Sequence, residues 1–562
     1  MTRLLQYALW AAWLLPLVVQ AGGPLNTLVV VNRASRHSRA LGTYYAEKHG
    51  IPPSHICTVR TDPRAVSINR IFFEREIRQP IQAHIVQEGL EGQIHYLVLC
   101  RDFPTRVENF NSLTAALYYG YKEEAPGAER CNIAPNSVNQ YYGAETSYTS
   151  SAGWNRTNAP IPFLLTADNL NAAKAVVDRG AAAVGTFPEG VFGLMGSGDA
   201  ERNIRHRTYA SVARLFELFG RRDWVEVNPA ADPVPARPVL GFMTGRGYLP
   251  PEYVEMDLVP GAIAEHMTSC AGQIPDPCYN QSTVWDWMRL GATASYGTVS
   301  EPCNFREKFP DPMMFFWYSR GFTAGEALAM SVRNPYQGLW VGDPLAAPFA
   351  AAPSVEITSP PRNASLDGEI DLRIAVKAHE RGVPPVFLDL YIDGRHHAPI
   401  ARPIAPVGNN LIALVGTNRF AYTVAPGESL QAAVAGLAWA INANGRAQIT
   451  AKAVSDRIEI TARQPLGTDG LPHRIAVHVE PGFGRGEYLG GQVGTDRLVV
   501  ADGVGRAAAA FHFGSARQYE IEYPLDLSGL KPGAHVLTVV VRDGTAVQAQ
   551  SQADLPILIP ER

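Results

Sequence analysis

Several things are scarce in this chain of 562 residues, and each scarcity excludes something. No two cysteines stand in a CxxC pair, which argues against a thiolate zinc site. All six cysteines (Cys57, Cys100, Cys131, Cys270, Cys278, Cys303) fall in the first 303 residues, so the remainder must fold without covalent staples. Charge of one sign is equally scarce. The net charge is −4 and no Lys/Arg cluster stands out, which argues against a nucleic-acid binder or a membrane-surface binder. Only one long apolar run exists, Leu4 to Val19, and it lies at the very start. Leu555 to Arg562 at the other end carries no apolar tail.

The single apolar run is informative. A basic stretch ending at Arg3 precedes it and Val19-Gln20-Ala21 follows it, giving a secretory signal peptide over residues 1–21 with cleavage before Gly22. Interrupted by Gln6 and Pro16, the run is short of the roughly 20 apolar residues a membrane span needs. The expectation is an exported protein, periplasmic or extracellular, with no membrane span after cleavage. An oxidising compartment permits up to three disulfides.

With 46% hydrophobic and 18% charged residues the chain can bury more than one core. Up to about residue 350, short apolar runs alternate with helix-like stretches. Thr27 to Val31, Ile56 to Val59, Ile94 to Cys100, Phe163 to Thr166, Gly190 to Met195, Val239 to Thr244, Gly261 to Ser269 and Thr293 to Val299 read as strands. Ser38 to His49, Ile68 to Gly89, Ser112 to Gly120, Leu170 to Ala183, Thr208 to Phe219, Val284 to Leu290 and Ala324 to Val332 read as helices. Such alternation predicts an α/β domain over 22–350, a mostly parallel sheet with helices on both faces. Beyond Pro353 the texture becomes β-rich, with Asp393-Gly394 as a hairpin signal. The pieces 354–399 and 516–562 resemble one immunoglobulin-like sandwich. Residues 400–515 interrupt it, and Asn410 to Ala462 within them resemble the small β-β-α-β-β module inserted in some flagellar hook and cap proteins.

Ala262-Ile263-Ala264-Glu265-His266-Met267-Thr268-Ser269, Gly297-Thr298-Val299-Ser300-Glu301-Pro302-Cys303-Asn304, Lys308-Phe309-Pro310 and Val341-Gly342-Asp343-Pro344-Leu345 resemble an uncharacterised family of exported bacterial proteins. That family is associated with exosortase/PEP-CTERM genomes. More distantly, the order of elements followed by a sandwich is similar to the gingipain cysteine peptidases with their caspase-like sheet. That resemblance implies a nucleophile at Cys270, at the carboxyl end of a strand, and places Gly245-Arg246-Gly247 where those enzymes have Gly-His-Gly. A thiol nucleophile needs a base, and an Arg that never loses its proton cannot serve. His266 is four residues from Cys270, about 13 Å along one extended strand at 3.3 Å per residue, too far for a dyad unless the chain turns after Thr268. His206 and His37, each in a loop after a strand, are the other candidates. Cys270 is equally placed to pair with Cys278 or Cys303, or to remain a buried inert thiol.

In a parallel sheet the ligand crevice lies at the carboxyl ends of the strands. Asn32, Arg33, Arg101, Asp102, Asp168, Asp199, Arg246, Cys270 and Glu301 fall there, a set rich in Arg and Asp that suits a polar, peptide-like or carboxylate-bearing ligand. Metal binding by His266 with Asp257 or Glu301 has no ligand spacing behind it, so no metal is expected. Gly196-Ser197-Gly198-Asp199 lacks the third glycine of a phosphate cradle and has an acid where an anion would sit, so no cofactor is expected either. Three readings follow: a ligand-binding or degenerate-peptidase scaffold in the cell envelope, a cysteine hydrolase using Cys270 with an unidentified histidine as base, and, behind these, a metal-dependent hydrolase using His266 and nearby carboxylates.

Overall fold

The computed structural model describes residues 22–108, 110–121, 139–149, 159–218, 221–300, 304–382, 384–401, 410–415, 418–425, 428, 430–445, 449–454, 457–462, 475–480, 494–496, 508–512, 517–543 and 545–561. Glu301, Cys131, Cys303 and residues 1–21 lie outside them.

Ten strands form one sheet: β1 (Thr27–Asn32), β2 (Ile56–Val59), β3 (Tyr96–Cys100), β4 (Ile161–Leu165), β5 (Val191–Met195), β6 (Val225–Asn228), β7 (Val239–Thr244), β8 (Leu258–His266), β9 (Ala294–Thr298) and β10 (Gly338–Gly342). Their spatial order is β2-β1-β3-β4-β10-β9-β8-β7-β5-β6. The pairs β1–β2, β1–β3, β3–β4, β5–β6, β5–β7, β7–β8 and β8–β9 are parallel. β10 runs antiparallel to β9, with Thr298 opposite Gly338. The expected mostly parallel α/β sheet is therefore present. Its central strands are buried along their whole length, as sheets covered on both sides require. Each fully buried aliphatic side chain, such as Leu97, Val98 or Leu99, contributes about 1.5–3 kcal/mol.

Helices α1 (Arg36–His49), α2 (Gln79–Gln87, continuing Arg70–Phe73 through a π turn), α3 (Leu113–Tyr118), α4 (Leu170–Ala183), α5 (Tyr209–Leu218), α6 (Val284–Leu290), α7 (Met313–Ser319) and α8 (Ala324–Ser331) connect the strands. Their starts are set by side-chain caps. Ser35 caps α1, Asn169 caps α4, and Thr283 and Thr323 form capping boxes with Asp286 and Glu326. Gly50 ends α1 and Gly291 ends α6, both left-handed. Strand β8 corrects one expectation, because it stops at His266 rather than Ser269 and the Met267 N–H donates to the Thr244 carbonyl.

Two antiparallel sheets follow. One contains Ser354–Ser359, Glu369–Lys377 and Gln518–Asp526. The other contains Arg395–Ala401, Pro385–Ile392, Gly533–Asp543 and Gln550–Ile559. Leu372, Ile374, Leu390, Val539, Val541 and Ile557 share the core between them. Asp393 (φ 51°) and Gly394 (φ 82°) turn the hairpin as their left-handed preference dictates. The tip of that hairpin touches the α/β sheet, where Gln93 Nε2 donates to the Gly394 carbonyl at 2.7 Å. Between these strands in sequence, helix Leu430–Asn442 packs with the hairpins Asn410–Val415/Asn418–Thr423 and Ile449–Val454/Arg457–Ala462 around a separate core.

Candidate functional site

The carboxyl ends of β3 and β9 lie on one edge. Gly338, opposite Thr298, accepts hydrogen bonds from Ser112 and from Thr114 (3.1 Å), which follow the loop leaving β3. Strand order reverses at two places on this edge, between β1 and β3 and between β5 and β7. Both are positions where open α/β sheets hold ligands.

At the first reversal Asn32, fully buried, ends β1. Its Nδ2 donates to the carbonyls of Thr61 (3.0 Å) and Asp102 (2.8 Å), and its Oδ1 accepts from Ala34 N and Thr61 N. Opposite it, Arg101 and Asp102 leave β3 with φ of 26° and 57°. Two successive side-chain-bearing residues in the left-handed region store strain of about 1–2 kcal/mol each. The Asp102 carboxylate accepts from Ser35 Oγ and from Arg101 Nε (3.1 Å). Arg101 Nη1, by contrast, is buried with no hydrogen-bond partner among the described residues. A strained cation with an unused donor is equipped to meet an acceptor from outside the chain. Sequence reasoning placed Arg101 on this edge but had no signal for the strain. Because a glycine carries no Cβ to crowd the left-handed conformation, Arg101→Gly is expected to be more stable than Arg101→Ala by about 1 kcal/mol, read from urea midpoints.

The second reversal holds the residues that tempted a catalytic reading. Cys270 is bonded to Cys278, with the Cα atoms 5.6 Å apart. A bridged sulfur is no thiolate, which corrects the expectation of a nucleophile at Cys270. Around it runs a chain of hydrogen bonds. The Cys270 N–H donates to Gln281 Oε1 (3.2 Å), Thr268 Oγ1 donates to the same oxygen (2.8 Å), and Arg202 Nε donates to Thr268 Oγ1 (3.0 Å). Asp199 completes the chain through Arg202 Nη1 at 2.5 Å. Of the expected crevice residues, this brings Asp199 and Cys270 into one network.

His266 is not a base for this sulfur. Its ring is buried, Nδ1 accepts from Trp287 Nε1 (2.8 Å), and Nε2 donates to the Ser282 carbonyl (3.1 Å). Both nitrogens are committed to a neutral ring, and burial pushes its pKa down to about 4. His206 Nδ1 lies within hydrogen-bonding distance of the Asn203 carbonyl, and His37 Nε2 accepts from Arg36 Nε at 3.4 Å. Arg246 is also committed, forming a bidentate pair with Asp232, whose Oδ2 accepts further from Thr244 Oγ1 (2.9 Å) and Tyr253 OH (2.7 Å). Although burial alone would raise it, the Asp232 carboxyl is held below the ordinary carboxylate range by those donors and the Arg246 charge. Asp168 pairs with Arg289 at 2.9 Å, away from this network.

Beneath the edge lies a buried ion pair that sequence reasoning missed. Arg205 Nη1 meets Glu265 Oε1 at 2.5 Å, and both side chains are at most 1% exposed. Arg205 also donates to the carbonyls of Thr244 (2.8 Å) and Pro310 (3.1 Å), tying β7, β8 and the Lys308-Phe309-Pro310 segment together. On the outer side, Tyr248 and Tyr279 are 60% and 73% exposed beside the disulfide, and the Tyr248 hydroxyl donates to the Tyr279 carbonyl. Tyr279 and Asn280 are both left-handed, a second strained pair. The edge thus offers, in Arg101, a cation with a donor unpartnered among the described residues, and two solvent-facing aromatic rings.

Among the described residues no group of three or more His, Cys, Asp or Glu side chains is arranged to hold a metal ion, and no helix is long and apolar enough to cross a membrane. No family model matches the chain, so none answers to the exosortase-associated family that the motifs resemble, and no curated protein matches it. Among solved structures the chain is similar to the fibronectin(III)-like modules of Clostridium thermocellum CbhA, at 14% identity over 37% of this chain and 94% of that one, with a TM-score of 0.08. It is also similar to dimeric latent PorU from Porphyromonas gingivalis, at 11% identity and a TM-score of 0.23, covering 95% of this chain but only 54% of the PorU chain.

Proposed function

We propose that this chain is an exported binding protein of the cell envelope, built on a gingipain-like α/β scaffold whose peptidase position is closed, with an immunoglobulin-like sandwich as spacer. The observation that carries this reading is the Cys270–Cys278 disulfide, which occupies the sulfur a hydrolase would need. The expected histidine position holds Arg246, already neutralised by Asp232. The ligand is a carboxylate-bearing, peptide-like molecule received at the edge between β1 and β3, where Arg101 Nη1 has no partner among the described residues. A carboxylate there gains a charge-assisted hydrogen bond, roughly 1.5–3 kcal/mol.

The test is thermal unfolding of the full mature chain with and without a set of acidic peptides, together with mass-spectrometric inspection of those peptides after overnight incubation. The expected result is a raised midpoint with at least one peptide, lost in Arg101→Gln, and no cleavage. Cleavage that Cys270→Ala abolishes would establish the hydrolase instead.

A further inference from the structure

The joint between the α/β sheet and the β-sandwich holds a partly open cavity of about 320 Å³. Leu345, Ala347 and Ala350 face it from one side and Val540, Val547 and Ala549 from the other. Its wall also contains Gly22 and Gly23, the residues just after the expected cleavage point. Gly23 is held tightly. The Gly23 carbonyl accepts from Asn26 N (2.9 Å) and Thr27 Oγ1 (2.8 Å), and Gly23 N donates to Asn26 Oδ1 (3.3 Å). Asn26 is anchored in turn, its Nδ2 donating to the Gln93 carbonyl at 2.9 Å.

A side chain at position 22 meets a buried ring, and one at position 23 meets the movable end of Gln550. A Cβ at position 22 would stand 2.0 Å from the ring of Tyr96, which is wholly buried and held by a 2.9 Å hydrogen bond to Thr323. A Cβ at position 23 would stand 1.6 Å from the amide of Gln550, on the last strand of the sandwich. The Gly22-Gly23 backbone therefore threads between the two parts of the molecule. The same cavity is lined by Glu326, whose carboxyl is 1% exposed and accepts from Tyr148 N (2.9 Å) and Thr323 N (3.0 Å). A buried carboxylate is favoured by a nearby cation.

We propose that the cavity is the seat of the mature N-terminus: hydrolysis of the Ala21–Gly22 amide leaves the α-ammonium of Gly22 in the wall of the cavity that Glu326 also lines. This rests on the export reading given above. In the cut, water adds its hydroxyl to the Ala21 carbonyl carbon as the C–N bond breaks and its proton goes to the Gly22 nitrogen; the new Ala21 carboxyl then gives up its proton, so that the products are a carboxylate and the Gly22 ammonium. The enzyme class that supplies the cut is a signal peptidase.

Two measurements on the full chain separate the possibilities. Intact mass of the protein recovered after export is expected to place Gly22 first. The folded protein is then treated with formaldehyde and cyanoborohydride, beside a version carrying Gly-Ser-Gly-Ser before Gly22. The native α-amine is expected to be methylated at least tenfold more slowly than that of the extended version. Gly22→Ala, which must displace the strip from Tyr96, is expected to raise the methylation rate. A different first residue overturns the cleavage point and the seat together. Gly22 first, with an amine as reactive as the extended one, overturns the seat alone and leaves export standing.

Discussion

Arg205→Met is expected to cost about 3–5 kcal/mol of stability in the α/β region, the usual cost of removing one member of a buried ion pair. The guanidinium meets Glu265 at 2.5 Å with both groups out of solvent, so the substitution strands a carboxylate in an apolar setting. Burial already pushes the Glu265 pKa up to about 7 against the pull of Arg205, and without that pull the group takes up a proton on folding. The carbonyls of Thr244 and Pro310 lose a donor as well. Replacing both partners by apolar residues removes the stranded charge, so Arg205→Met/Glu265→Leu is expected to recover at least half of the loss. Urea unfolding followed by tryptophan fluorescence reads both, because Trp287 and Trp340 lie in this core. A single variant within about 1 kcal/mol of the parent would show that the pair is not structural.

Acid is expected to destabilise the same region through His266. Its folded pKa of about 4 lies below the ordinary histidine value of about 6.5, so the unfolded chain binds a proton that the folded chain refuses. The stability it contributes is present above about pH 6.5 and is lost as pH falls towards about 4. A difference of that size corresponds to about 3 kcal/mol at the acid end. Neighbouring Glu265 acts in the opposite sense. Its raised pKa favours the fold below the ordinary glutamate value, and that advantage fades as pH rises towards about 7. His266→Gln is therefore expected to flatten the fall in unfolding midpoint between pH 6.5 and 4, and Glu265→Gln to steepen it. An unchanged slope in His266→Gln would contradict the buried neutral ring.

How much of this was legible in the sequence differs by element. Helices α4 and α6 begin and end where the sequence places them, because Asn169 and Thr283 are strong caps and Gly291 is a clear stop. Strands β2 and β7 are equally plain, being short β-branched or apolar runs between turn residues. Several elements escaped, among them the strand Arg395–Ala401 and three of the α/β region. β6 (Val-Glu-Val-Asn) is half polar and so is no apolar run, β10 has a glycine at each of its ends, and α7 (Met-Met-Phe-Phe-Trp-Tyr-Ser) is apolar nearly all round and so shows no helical period. At the site, sequence alone brought Cys270, Asp199 and Arg246 to one edge but could not pair them. Choosing Cys278 over Cys303 or a free thiol needs a distance between chain segments, and the chain turns after His266 in a way that no local pattern announces. The commitments of Arg246 to Asp232, 14 residues away, and of Arg205 to Glu265, 60 residues away, are likewise tertiary. The strain at Arg101 and Asp102 is a backbone property carried by residues that ordinarily avoid it.

The most direct test of a closed peptidase position is thiol accounting on the folded, non-reduced mature protein, by alkylation with iodoacetamide and peptide mass mapping. Cys57 and Cys100 are buried thiols whose pKa burial pushes far up, Cys57 to about 12, so they are expected to stay unlabelled until the chain is unfolded. The peptide containing Cys270 is expected to appear cross-linked to the one containing Cys278 and to carry no label. A Cys270 that alkylates rapidly in the folded protein near neutral pH would contradict the account and restore the thiol as a nucleophile.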